Sequence, residues 1–187
     1  MRKKFQIVFA LLTALLAAST IRATTLARLS LEQLARGSDA VARVRFTGAE
    51  SRWESGSIWT VTSFDVVETL KGQLPPKIDV RLPGGHVGHL TVTVEGTPKF
   101  NPGGEAVLFL QASSAGGFTV AGWVEGSFRI LRDQQTGIET VTQDSSAFAV
   151  FYAATRTFHT EGIRRMPIEQ FRARVAAAIA RQVEKTR

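Results

Sequence analysis

Apolar positions along this chain change their spacing several times, and each change predicts an element. They run almost unbroken from Phe5 to Ala18, with only Gln6 and Thr13 interrupting. Further on, Ser30-Leu31-Glu32-Gln33 reads as a capping box, in which the hydroxyl and the amide each satisfy the other's free backbone N–H. A helix of about two turns follows, with Leu31 and Leu34 inward and Gly37 as its C-terminal cap. From Asp39 the period becomes two, and Val41, Ala42, Val44 and Phe46 predict a first strand. The polar stretch "TGAESRWESGS" reads as a turn, and Ile58 to Leu70 as a long second strand. That strand does not keep one parity: Trp59 and Val61 share a face, Phe64 and Val66 lie on the other, and Val67 and Leu70 change again. Such switching predicts a bulge or a strand serving two sheets.

Lys71-Gly72 and Pro75-Pro76 end the second strand. Ile78, Val80 and Leu82 alternate in the next, and Leu90, Val92 and Val94 in the one after. The continuous apolar run in "EAVLFLQ" predicts a strand buried on both sides. Phe118–Val124 reads as a further strand, and Ser127–Leu131 with Ile138–Val141 as a hairpin turned by "DQQTG". Met166-Pro167 opens a helix over about 167–184, with Ile168, Phe171, Val175, Ile179 and Val183 along one stripe. The fold class is therefore mainly β: a small OB-like closed or partly open barrel with a short N-terminal helix and a C-terminal amphipathic helix. Residues 143–165 fit strand, helix or packed loop equally.

The chain's ends set the compartment. Arg2, Lys3 and Lys4 precede the apolar run, and Ile21-Arg22-Ala23 stands ahead of a polar stretch, which describes a secretory signal peptide over residues 1–23. Cleavage after Ala23 makes Thr24 the mature N-terminus and the protein secreted or periplasmic. The alternative is an uncleaved anchor, although the run is shorter than the about 20 apolar residues a membrane span needs. The rest predicts a barrel domain at 24–142 and a C-terminal extension at 143–187.

Charge narrows the partners. The 23 bases and 16 acids give a formal +7, but four of the bases lie in the leader. From Arg156 onward there are eight bases and three acids, so residues 24–155 are close to neutral. The basic balance thus belongs to the leader and the tail and does not point to nucleic acid. Membrane contact is expected only through an uncleaved leader or a weak contact of the basic helix, the bland reading being a helix docked on the barrel. With no cysteine in the sequence, disulfides, thiol catalysis and cysteine-ligated zinc are all excluded.

Candidate chemistry is sparse. "PGGHVGHL" holds two of the three histidines, His86 and His89. Its prolines and glycines oppose a helix, and on a strand positions three apart face opposite ways. No acid lies between Arg81 and Val94 to serve as a third ligand. The two are read as solvated imidazoles on a loop, with no metal and no cofactor. Neither "PGGHVGHL" nor "NPGGEAV" carries the ending or the following helix of a phosphate loop. No Gly-x-Ser-x-Gly elbow is present, so a hydrolase is kept only as a remote alternative and no catalytic residue is assigned. Trp53, Trp59 and Trp123 are expected in the core or at its rim, or else as a stacking platform.

The segments "SDAVARVRF", "WTVTSFDVVETLKG", "KIDVRLPGG", "NPGGEAVLFLQ" and "FTVAGW" follow one another in an order that resembles the netrin-type module, the OB-like barrel of tissue inhibitors of metalloproteases. The likeness covers about Asp39 to Leu131 and is closer still to uncharacterised exported bacterial proteins with the pattern "VxxxLKG … PGG … GExVLLFL". It implies a five-stranded barrel and a protein partner, a protease among them. Those inhibitors hold the protease zinc through an N-terminal cysteine, which this chain lacks, so their mechanism does not carry over. The expectation is an exported, non-enzymatic protein that binds an extracytoplasmic protein partner through loops 48–57 and 83–89, with Arg52, Trp53, His86 and His89 as exposed contacts. The alternative is a carbohydrate- or polyanion-binding module using the tryptophans and the basic tail.

Overall fold

The computed structural model describes residues 29–147, 150–152, 157–159 and 162–185. The leader-like residues 1–23 and the cleavage site therefore lie outside the described residues. Helix α1 (Leu31–Gly37) begins with the expected capping box: Ser30 Oγ accepts from the Gln33 N–H at 3.2 Å, and Gln33 Oε1 accepts from the Ser30 N–H at 2.8 Å. Gly37 is not the cap. It lies inside the helix, and an extended Ser38 ends it. The orphan carbonyls are met by side chains of the barrel instead: Lys71 Nζ donates to Ala35 O and Ser38 O, and Gln111 Nε2 to Gly37 O, each at 2.6 Å.

The strands are β1 (Ala40–Glu54), β2 (Ser57–Lys71), β3 (Lys77–Pro83), β4 (Gly85–Val87), β5 (Leu90–Val92), β6 (Glu105–Ala112), β7 (Phe118–Val120), β8 (Ser127–Arg132), β9 (Glu139–Gln143), β10 (Val150–Tyr152), β11 (Thr157–His159) and β12 (Met166–Pro167), followed by α2 (Ile168–Lys185). Five of them close a circuit, β1-β2-β3-β7-β6 and back to β1. Every pairing is antiparallel except the β3–β7 contact at Val80 and Phe118. This is a small OB-like barrel, partly open because β7 and β8 share one edge of β6: β7 pairs at Leu110–Ala112 and β8 at Glu105–Leu108. Strands β8, β9 and β12 carry the sheet outward beyond the ring.

Burial on both faces of β1 and β6 explains their apolar runs. Ala40, Ala42, Val44, Ala106, Leu108 and Leu110 point into the barrel with Phe64, Ile78, Val80 and Leu82. The alternate residues Val41, Val107 and Phe109 form a second core with Leu34, Phe128, Val141, Phe171 and Val175, beneath the two helices. The docked stripe of α2 is Ile168, Phe171, Val175 and Ala178, all buried. Its apolar face is occupied by the barrel wall over this span and does not lie open to a lipid surface.

Three sequence expectations change. The stretch 47–57 is mostly not a turn: β1 continues to Glu54, and only Ser55 and Gly56, at φ 50° and 81°, connect it to β2. The outer half of this hairpin extends past the core, so the apolar alternation that marks a strand is missing there. Phe118–Val124 is shorter than expected as a strand, because β7 stops at Val120 and a 3-10 turn follows at Trp123–Gly126. In β2, the apparent switch at Val61/Phe64 is no bulge, since Ile58, Thr62 and Phe64 form one continuous buried face with a threonine in it. The later switch is real: register slips against β1 between Arg43/Val44 and Val41/Ala42 leave Val67 and Leu70 as extra residues on β2, whereas the slip at Phe46/Gly48, opposite Phe64 and Ser63, puts its extra residue Thr47 on β1.

Candidate binding site

The stretch holding His86 and His89 folds as a small flap. β4 and β5 pair through Gly85–Val92, His86–Thr91 and Val87–Leu90, so the strand expected over Leu90–Val94 is only three residues long and stands clear of the barrel sheet. Glycine sets where the flap lies. Gly84 N–H donates to Ile58 O at 2.8 Å, and Thr60 Oγ1 donates to Gly84 O at 2.7 Å. A Cβ on Gly85 would meet Ser51 Oγ and Thr60 Oγ1, each at 2.3 Å. The bare backbone thus rests against Ser51 and Thr60 of the long hairpin, beside the buried Ile58.

Gly85→Ala is accordingly expected to lift the flap. The methyl has no room at Ser51, and the backbone at φ +137° disfavours any side chain. A local cost of about 2 kcal/mol should appear as faster protease cleavage between residues 84 and 97. An unchanged cleavage rate would show that the flap accommodates the methyl without opening.

The four expected contact residues do not form one surface. Trp53 shares its strand face with Ser51 and so projects on the flap side, 57% exposed. Arg52 projects from the opposite face, where its Nε lies 3.4 Å from Glu54 Oε2. His86 is exposed and turns away from the hairpin, next to the inward Gly85, with Nδ1 at 2.9 Å from Thr91 Oγ1. His89 is exposed in the flap turn. Among the described residues, no three His, Asp or Glu side chains are grouped to hold a metal. The flap's own Leu90 and Val92 are 47% and 36% exposed, which places three large apolar side chains, with Trp53, at this end.

A different group gathers on the outer wall. Arg81, in the middle of β3, is 8% exposed; its guanidinium lies over the Trp59 ring at 5.5 Å and reaches Glu54 Oε2 at 2.9 Å. The ion pair with Arg81 holds the Glu54 carboxyl below its usual pKa. Beside them opens a groove of about 470 Å³ lined by Trp59, Arg81, Glu95, Gln111, Trp123 and Glu125, among others. Pattern reading misses it because these six residues come from five separate segments. The signals were weak ones: an arginine within an alternating strand, on the same parity as no core residue, and a tryptophan behind a glycine.

No family model, curated protein or solved structure matches the chain. Site geometry alone therefore carries the functional reading.

The buried acid that a hydrolase would need has a partner, but not a relay. Asp144 accepts from Ser127 Oγ at 2.6 Å and from Arg129 Nε at 2.5 Å. Burial raises its pKa against the pull of both bonds. Ser127 is fully buried and donates directly to the carboxylate, with no imidazole between them. Ser145, its neighbour in sequence, is buried separately. His159 lies on β11, and its side chain is outside the described residues.

Proposed function

We propose that this is an exported, non-enzymatic barrel protein that binds an extracytoplasmic protein partner at the hairpin-and-flap end. The observation that carries the reading is the exposure of Trp53, Leu90 and Val92 at that one end, on a support fixed by glycine contacts to Ser51 and Thr60. Exposed apolar side chains on a rigid, polar-rimmed support suit association with another protein. The flap adds a short strand edge, to which an extended peptide of the partner adds as a further strand. Export rests on the leader-like residues 1–23. The five-strand circuit is the kind of barrel the netrin-type resemblance implies and carries no family assignment, while the absence of cysteine separates any protease contact here from the inhibitors' zinc ligation.

The test is mild crosslinking of the tagged full-length chain in its host, followed by mass spectrometry of what is captured from the extracytoplasmic fraction. Trp53→Ala should reduce the dominant partner at least tenfold, as expected for the loss of an aromatic anchor worth about 2–4 kcal/mol. Its melting temperature should stay within a few degrees of the wild type, because the ring is largely in water. Undiminished capture, or a collapse in stability, would sink the assignment of Trp53 as a contact.

A further inference from the structure

We propose a second site, distinct from the hairpin-and-flap end: the outer-wall groove between Trp59 and Trp123 binds a neutral saccharide. Three features of the groove converge on that class of ligand.

The first is the presentation of Trp123. It stands at φ 54°, a left-handed conformation that is costly for a bulky aromatic residue, directly after Gly122 at φ 62°. Backbone hydrogen bonds hold it there, from Val124 N–H to Gly96 O at 3.1 Å and from Glu125 N–H to Gly122 O at 3.0 Å. This strain does not serve to bury the ring, which is 42% exposed. It holds an indole over a groove, and strain of this kind concentrates at functional sites.

The second feature is charge. A polyanion needs uncompensated cations, and among the described residues lining this groove there is none: Arg81 is already engaged by Glu54, and the other charged lining residues are the acids Glu95 and Glu125. Two cations of the tail are paired as well, Arg172 with Glu68 and Glu169 and Arg181 with Glu32. The polyanion alternative thus has no support at this groove.

The third feature is the mixture of groups. A sugar ring offers an apolar C–H face and a rim of hydroxyls that both donate and accept. The Trp123 indole supplies a flat apolar surface for the face. Glu95 supplies acceptors, Gln111 both donor and acceptor groups, and Arg81 donors for the rim. Glu125, buried at 4% exposure, receives Gln143 Nε2 at 3.1 Å and is held in place at the groove's base. The volume lies within the roughly 300–1,000 Å³ of small-molecule sites, enough for a short oligosaccharide end rather than a long chain.

The purified full-length protein should be titrated with cellotriose, maltotriose and tri-N-acetylchitotriose as neutral probes, and with heparin and polygalacturonate as anionic ones, by calorimetry. At least one neutral probe is expected to bind with an affinity that holds between about 0.05 and 0.5 M salt, where a charge-driven interaction would be screened. Trp123→Gly is the decisive variant. Glycine adopts the left-handed backbone without strain, so the melting temperature should hold or rise while binding falls at least tenfold. Glu95→Gln, at an exposed position, should weaken binding several-fold with the fold intact, and Trp53→Ala should leave it unchanged. Absence of binding to every neutral probe, preference for the anionic ones with loss in salt, or full binding by Trp123→Gly would each overturn the proposal.

Discussion

Phe171→Ala is expected to destabilise the protein by about 3–5 kcal/mol, the range for an aromatic ring removed from a core. Phe171 is fully buried, and its ring centroid lies 4.9 Å from that of Phe128, which in turn lies 5.5 Å from Phe109. Phe109 and Phe128 stand on paired strands, so the wall beneath α2 cannot collapse into the space left behind without breaking sheet hydrogen bonds. Urea unfolding should show the full loss, and the melting temperature should fall by roughly 10 °C for a chain of this size. Loss of helical signal with an unchanged barrel midpoint would show instead that α2 is a separable appendage.

The second large effect is expected at Arg43. This side chain, 14% exposed, bonds Glu139 through both terminal nitrogens at 2.8 and 2.9 Å and Glu105 through Nε at 2.6 Å. Arg43→Met keeps the aliphatic volume but leaves two acids side by side on β6 and β9. Removing one partner of a fully buried ion pair costs about 3–5 kcal/mol; Glu105 and Glu139 retain some water, so about 2 kcal/mol is the expectation. The pH dependence separates charge from packing. Burial pushes the Glu105 carboxyl up, but hydrogen bonds from Arg45 and Arg43 outweigh it and hold the pKa below its usual value. Glu139 is held low chiefly by the hydrogen bond from Arg43. Carboxyls with lowered folded pKa values stabilise the fold above the unfolded value of about 4.3 and lose that contribution as pH falls through the folded value. The wild type should therefore weaken in acid more steeply than Arg43→Met, and the two unfolding curves should converge as pH falls through the folded values of these carboxyls. A deficit that stays the same as pH falls would assign the effect to packing.

The elements nearest the core were the legible ones. The capping box at Ser30 and Gln33 reports a local hydrogen-bond pair, and the alternation of Ile78, Val80 and Leu82, the two-sided run of β6 and the Ile168, Phe171 and Val175 stripe of α2 report burial within one element; all four are found in the structure. Legibility failed where burial stopped tracking hydrophobicity. Thr62 is buried at 2% and broke the reading of β2, while Leu90 and Val92 alternate like a core strand yet face solvent. The distal hairpin was read as a loop because Glu50, Arg52 and Glu54 are polar. They are strand residues nonetheless, since the backbone ladder with β2 needs no apolar side chain.

Of the candidate sites, the exposure of Trp53, His86 and His89 was expected and Arg81 was not. Trp53 and Arg52 were placed together as neighbours in sequence; one step along a strand sends them to opposite faces. By itself, the sequence determined the fold class, the two helices, most of the long strands and the absence of thiol chemistry, because periodicity and composition are local properties. Only the tertiary structure decided that the flap rests on Ser51 and Thr60 and that Trp59 and Trp123 border one groove. The groove depends on the β3–β7 and β6–β7 pairings, and the flap on the bonds of Gly84 to Ile58 and Thr60, contacts between segments distant in the chain for which no local pattern codes.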